Sequence, residues 1–163
     1  MSTMDNLKEA FAGESQANRK YLAFARKADE EGYHQVAKLF RAAAAAETVH
    51  AMNHLDAMEA VRSTEENLRE AIEGETAEFT DMYPGFIEEA EAEGHEQARW
   101  SFDVANRVEQ IHAELYKKAL ENLGSNVEVD YYVCNWCGNT VEGEAPSRCP
   151  ICGAPKDEFK KID

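Results

Sequence analysis

Apolar residues recur along the first 124 positions at the spacing of helices that bury one face. Leu7, Phe11, Ala17, Tyr21, Phe24 and Ala28 form the first stripe, which predicts a helix over about 5–31, ended by Gly32. Val36, Leu39, Phe40, Ala43, Ala57 and Val61 predict a second helix over about 34–61. Ser63 followed by Glu66 has the form of a capping box and opens a third helix, which carries Leu68, Ile72, Phe79, Met82 and Phe86 to Gly94. Pro84 inside that stretch predicts a bend or a loosened turn. A fourth helix over about 96–123, with Trp100, Phe102 and Tyr116 expected in its core, stops at Gly124. Helices approaching 28 residues would be roughly 42 Å long at 1.5 Å per residue. Short turns after the first and third predict an all-α antiparallel four-helix bundle over residues 1–124.

The two halves of this region repeat. Ala10-Phe-Ala-Gly-Glu14 matches Ala71-Ile-Glu-Gly-Glu75 at an offset of 61. Glu31-Gly32 matches Glu93-Gly94, Phe40 matches Phe102, and Glu47-x-x-His50 matches Glu109-x-x-His112, all at an offset of 62. Two Ala/Glu-rich segments can look alike by chance, but chance would not keep Gly-Glu and Glu-x-x-His in register. The repeat unit is a helical hairpin.

Beyond Gly124 the pattern stops. Residues 125–130 form a polar linker, and 131–163 are rich in Cys, Gly, Pro and aromatics without helical period. A piece this small cannot be held by core burial alone, so a metal is expected. All four cysteines of the chain lie here, as Cys134-Asn-Trp-Cys137 and Cys149-Pro-Ile-Cys152. Paired Cys-x-x-Cys knuckles point to a tetrathiolate metal site in a reducing, cytoplasmic setting rather than to a disulfide framework. Spacing alone leaves zinc and iron open, and a purely structural zinc ribbon is the plain alternative.

Charge narrows the partners. Asp and Glu number 32 against 17 Lys and Arg, a net charge of −15, which argues against nucleic acid and anionic membranes. The 44% apolar content suits a globular core, with no apolar run of membrane-spanning length and no secretory leader to be read at the N-terminus. Most acids serve solvation, but four fall on apolar faces. Glu14 lies three residues after Phe11, Glu75 three after Ile72, Glu47 four after Ala43 and Glu109 four after Ala105. His50 and His112 project from the same faces as Glu47 and Glu109. Ionised carboxylates in such seams are costly without a counter-charge, which two divalent irons would supply. One Glu from each of two helices, with Glu-x-x-His from each of the other two, is the ligand pattern of a di-iron carboxylate bundle.

Glu78 shares the face of Glu75, whereas its counterpart in the first repeat is Ala17. It is a seventh candidate ligand, with a salt-bridging surface acid as the alternative. His54 is a weaker candidate near the site, and His34 and His95 at helix starts are expected to cap or to face solvent.

Together these residues resemble the rubrerythrin family over nearly the whole chain. The matching segments are Ala10-Phe-Ala-Gly-Glu-Ser-Gln16, Glu47-x-x-His50, Gly74-Glu-Thr-Ala-Glu78 with Met82-Tyr-Pro84, Glu109-x-x-His112 and Cys149-Pro-Ile-Cys-Gly-Ala-Pro155. The resemblance implies a ferritin-like four-helix bundle with a rubredoxin-like C-terminal β domain. It implies one iron on Glu14, Glu47 and Glu78, with His50 replacing Glu78 on reduction. It places a second iron on Glu75, Glu109 and His112, with Glu47 and Glu109 bridging. Cys134, Cys137, Cys149 and Cys152 would hold a third iron, and Tyr21 and Tyr83 would hydrogen-bond to ligands. The implied activity is reduction of hydrogen peroxide to water. Electrons would enter through the tetrathiolate iron from rubredoxin or a separate NAD(P)H-dependent reductase. Only eleven residues separate the two knuckles, fewer than in free rubredoxins.

An iron-storing ferroxidase is a second class, disfavoured because storage needs no dedicated electron inlet. His112 lies 12 residues before Gly124, so about 18 Å separate the site from the helix end. A head-to-tail dimer, with the cysteine domain of one subunit serving another, would shorten the path. The resemblance points the same way, so a homodimer or higher assembly is expected, although the arithmetic alone would allow a tail folded back along its own helix in a monomer.

Overall fold

The computed structural model describes residues 2–163. It comprises α1 (Thr3–Glu30), α2 (His34–Ala57), α3 (Thr64–Ala77), a π-helical turn (Glu78–Met82), α4 (Tyr83–Ala92), α5 (Glu96–Glu121), and strands β1 (Tyr131–Cys134), β2 (Thr140–Glu142) and β3 (Phe159–Ile162). α3, the π turn and α4 follow one another without a break and make up the third of four long helices. Two compact units divide the chain, Met1–Arg62 and Ser63–Asp163.

In the first unit α1 packs on α2. Their seam is lined by small residues: Ala25, Ala28, Ala37, Ala44 and Ala51 are buried. Several residues expected inside are not. Phe24, Val36, Leu39 and Val61 are exposed, Leu39 by 67%. Two helices have a single contact seam, so an apolar stripe wide enough for a bundle keeps its flanks uncovered within one hairpin. In the second unit the same reasoning applies to Phe86, Trp100 and Tyr116, which are exposed rather than core. Val104, Val108 and Ala113 of α5 and Ala90 of α4 are buried instead.

Helix ends follow local chemistry. Ser2 with Asp5 and Ser63 with Glu66 form capping boxes for α1 and α3. Gly32 (φ +86°) and Gly94 (φ +69°) end their helices in left-handed geometry. α2 ends at Ala57, four residues before the end expected from its stripe. There Glu59 takes the left-handed role (φ 51°), with Glu59 N–H donating to Asp56 O and Ala60 N–H to Leu55 O.

The third helix is loosened where Pro84 predicts it. Pro84 has no N–H for the carbonyl four residues back. Tyr83 N–H instead donates to Glu78 O, five residues back, in a π turn. A π turn holds one extra residue, which accounts for the change in repeat offset from 61 at Glu75 to 62 from Tyr83 onward. The repeat is then visible in the aromatics. Tyr21, Phe24 and Phe40 cluster in the first unit with Phe24–Phe40 centroids 5.5 Å apart. Tyr83, Phe86 and Phe102, each 62 positions later, cluster in the second with Phe86–Phe102 also at 5.5 Å.

The C-terminal part of the second unit is a three-stranded antiparallel sheet, order β2-β1-β3. Its small core comprises Cys134, Ala145, Cys149, Ala154 and Phe159. The tail folds back onto α5. Arg107 donates to the carbonyls of Ile151 (3.1 Å) and Pro150 (3.3 Å), and Lys118 pairs with Glu142 at 2.6 Å.

Candidate metal centres

Each unit brings together three of the expected ligands. In the first, α1 supplies Glu14 and α2 supplies Glu47 and His50, with donor atoms within 4.8 Å of one another. His50 Nδ1 lies 2.9 Å from Glu47 Oε2 and 3.7 Å from Glu14 Oε1. Asn18, one turn beyond Glu14, ties the helices here by donating to Ala44 O (2.7 Å) and Thr48 Oγ1 (2.9 Å). In the second unit, α3 supplies Glu75 and α5 supplies Glu109 and His112, again within 4.8 Å. His112 Nδ1 lies 2.8 Å from Glu109 Oε2 and 3.5 Å from Glu75 Oε1. The four carboxylates are largely covered, with Glu47 and Glu109 each 18% exposed.

Crowded carboxylates hold protons that isolated ones would release. Burial first, then a hydrogen bond with Glu109 and its charge, pushes Glu75 up to about 7. Burial and the charge of Glu78 raise Glu109. In the other set the hydrogen bond with Glu47 raises Glu14, and the same bond together with His50 lowers Glu47. In both sets acceptor oxygens converge, an arrangement that favours a cation among them. Ligands about 2.1 Å from one ion at angles of about 90–110° lie roughly 3.0–3.4 Å apart. The observed spacing of 2.8–3.7 Å brackets that range, so both sets fit a divalent metal.

Glu78 stands at the start of the π turn, outside both three-residue sets but close to the second. Burial and the charge of Glu75 raise its pKa. Tyr83 lies close enough that burial and the charges of Glu109, Glu78 and Glu75 raise its phenol. The Tyr21 ring packs on Phe24 and Phe40. His54 is near enough to Glu14 to favour its ionised form. His95 caps α5 by accepting from Ala98 N–H, and His34 pairs with Asp29, as their places at helix starts suggest.

The cysteines meet in one cluster. Cys134 and Cys152 Sγ are 3.7 Å apart, and Cys137 and Cys149 Sγ 3.6 Å. The edge of a regular tetrahedron with metal–sulfur bonds of about 2.3 Å is roughly 3.8 Å, so the cluster is already shaped for a metal. Burial opposes ionisation of Cys149, yet backbone N–H groups of Cys152 and Ile151 and the neighbouring thiols bring it down to about 7. Burial raises Cys137 and Cys152. Asn139, buried to 1%, directs its Nδ2 at Cys149 Sγ, 3.6 Å away. The Cys149 thiol is thereby prepared to ionise for a metal.

Comparison with known proteins bears on the choice between zinc and iron. Residues 5–120 match the family model described as Rubrerythrin, and residues 132–160 match that of the rubrerythrin rubredoxin-like domain. The chain belongs to the rubrerythrin family. It is 39% identical to nigerythrin from Nitratidesulfovibrio vulgaris, covering 97% of this chain and 85% of that protein. It is 36% identical to rubrerythrin from Porphyromonas gingivalis, covering 98% and 90%. A solved structure of nigerythrin in its fully reduced, all-ferrous state superposes with a TM-score of 0.61 at 38% identity, covering 99% of this chain and 87% of that one. Family membership gives the ferritin-like fold with its rubredoxin-like domain, and the cofactors are those of the family: a di-iron carboxylate centre and an iron held by the four cysteines. No helix among the described residues is long and apolar enough to cross a membrane.

Sequence reasoning named the residues of all three clusters but missed three supporting residues, Asn18, Arg107 and Thr140. Thr140 Oγ1 lies 2.9 Å from His112 Nε2, across 28 residues of chain. Side-chain periodicity carries no signal for a contact between a helix and a metal-held tail.

Proposed function

We propose that this protein reduces hydrogen peroxide to water, in oxidative-stress defence, taking electrons through its cysteine domain. The observation that carries the reading is the pairing, within Ser63–Asp163, of a carboxylate–histidine metal set with a tetrathiolate set docked on the same helix by Arg107. Storage or scaffolding calls for no such inlet.

Peroxide takes up two electrons and two protons to give two waters. Two irons, when bound, would supply the two electrons. Glu14, Glu47, Glu78 and His50 would hold one iron in the assembled protein, with Glu78 and His50 as its alternative ligands. Glu75, Glu109 and His112 would hold the other. Tyr83 keeps its phenolic proton because burial and three carboxylates oppose its loss, so its hydroxyl stays available to donate a hydrogen bond. The Tyr83 ring is held among Phe86 and Phe102. The electron donor is a rubredoxin-type carrier or an NAD(P)H-dependent reductase, and the site of action is the cytoplasm.

The proposed assembly is at least a dimer, supported by the exposed apolar flanks of both hairpins, such as Leu22 and Leu39 in the first and Phe86 and Trp100 in the second. In the proposed head-to-tail pair the cysteine domain of one subunit serves the di-iron site of another. The contacts of the cysteine domain with its own α5 through Arg107 and Lys118 support a folded-back tail as the second reading. Metal analysis with reductant-driven peroxide turnover tests the whole reading: three irons per chain and peroxide consumption are expected. Zinc-only native protein with no peroxide consumption would overturn it.

A further inference from the structure

The turns within the two hairpins, residues 31–33 and 93–95, are short. A ferritin-like bundle joins its hairpins by one long crossover, and with both turns short that crossover falls between α2 and α3. It carries the chain from the end of one helix back to the start of a parallel one, so it must run the length of the helix. α2 has 24 residues, about 36 Å at 1.5 Å per residue. Only residues 58–63 separate it from α3, and they reach at most about 25 Å even when fully extended. Their usable reach is shorter still. The N–H groups of Met58, Glu59 and Ala60 donate back to carbonyls at the end of α2, and Ser63 is held as the cap of α3.

In this topology the linker is too short to return the second hairpin onto the first of the same chain. Each hairpin nevertheless carries half of the ligands, and each keeps apolar surface uncovered: Phe24 is 46% exposed and Phe86 41%. Two chains together hold four hairpins, enough for two bundles. Charge selects which hairpins pair. Residues 1–62 hold eight Lys and Arg against nine Asp and Glu, whereas residues 63–124 hold five against 16. Pairing second hairpin with second would oppose two strongly acidic halves and bring Glu75, Glu78 and Glu109 together in duplicate, where like charges repel. Pairing first with second avoids that repulsion and supplies both ligand sets.

We infer that two copies of this chain exchange hairpins, so that each bundle combines Glu14, Glu47 and His50 of one chain with Glu75, Glu109 and His112 of the other, and neither chain alone completes a di-iron site. The exchange needs no contact that a closed chain would not make, and residues 58–63 become the hinge between the two bundles. Its metal test rests on the proposed pairing of the two ligand sets, whereas its NMR test does not.

Two full-length variants test the exchange. One carries Glu14→Ala, Glu47→Ala and His50→Ala, the other Glu75→Ala, Glu109→Ala and His112→Ala. Each alone lacks half of every bundle site and should retain only tetrathiolate iron. Co-expressed with different affinity tags and isolated as the heterodimer, they should recover about half of the bundle iron of the unaltered protein, because one of the two bundles receives both intact hairpins. A heterodimer without bundle iron, beside unaltered protein that holds it, overturns the exchange. Isotope-filtered NMR of mixed labelled and unlabelled unaltered chains, with zinc on the cysteines, reads the exchange without variants or bundle metal. Contacts between chains should join residues 7–50 of one to residues 68–112 of the other, across the faces that bear Glu14 and Glu75. Contacts between those faces that arise only within a chain overturn the exchange. If the unaltered protein holds iron on its cysteines alone, the ligand reading falls, and the NMR result still decides the exchange.

Discussion

Glu75 links metal binding to pH. Its carboxyl titrates near 7 instead of 4.5, chiefly because of burial and the neighbouring Glu109. At about 1.36 kcal/mol per pH unit the folded chain would hold this proton by about 3 kcal/mol. Water within reach of the carboxylate screens it, leaving roughly 1–2 kcal/mol. The folded-state pKa is raised, so this stabilisation is fully present below about pH 4.5 and is lost as pH rises through about 7. Glu75→Gln keeps a neutral hydrogen-bond donor at every pH and should remove that dependence. The assay is thermal unfolding of chelator-treated protein that retains its tetrathiolate colour, at pH 5 and pH 8. Moving from pH 5 to pH 8 should lower Tm in the unaltered protein by roughly 2–6 °C more than in Glu75→Gln. Iron reverses the sign by displacing the proton, so the gain in Tm on iron loading should be larger at pH 8. Parallel pH profiles for the two metal-stripped proteins would refute the reasoning.

Replacing Glu47 or Glu109 by Ala removes a proposed bridging ligand and should sharply lower bundle iron, as measured by metal analysis; full retention in both would remove the assignment. Glu78→Ala should leave iron bound but slow peroxide turnover about ten-fold or more, and unchanged turnover would reduce Glu78 to a packing role. Arg107→Ala should leave the tetrathiolate spectrum intact while loosening the tail, seen as faster amide exchange at residues 149–152; unaltered exchange would mean that other contacts suffice. Mixing a variant lacking Glu75, Glu109 and His112 with one lacking the cysteines should restore reductant-driven turnover, because the cysteine domain of one subunit is proposed to serve another. No recovery after verified subunit exchange would rule that arrangement out.

Much of this was legible in the sequence because it rests on local rules. Ser63 and Glu66 announced the start of α3, Gly32 and Gly94 announced ends, and the knuckle spacing announced the thiolate cluster. The carboxylate sets were legible because charged residues on an apolar face need a reason. The end of α2 was not, since Glu59 adopts a conformation that glycine usually marks. Burial of Leu39, Val36 and Trp100 was misjudged because periodicity tells which face is apolar but not how much of it one partner helix covers. The docking of the tail depends on Arg107 and Thr140 meeting carbonyls and a ring tens of residues away, which no short-range pattern encodes.

The single extra residue of the Glu78–Met82 turn has a consequence for how a doubled hairpin can do directional work. Two faithful copies would present equivalent metal positions, equal in ligand supply. Equivalent positions cannot give a ligand a preferred side to leave from. The insertion shifts the phase of one copy, and Glu78 is the acid that the first copy, with Ala17, lacks. Everything downstream then returns to register, with Tyr83, Phe86 and Phe102 mirroring Tyr21, Phe24 and Phe40. The asymmetry is thus confined to one turn, and a duplicated scaffold acquires a front and a back without giving up the packing that both halves share.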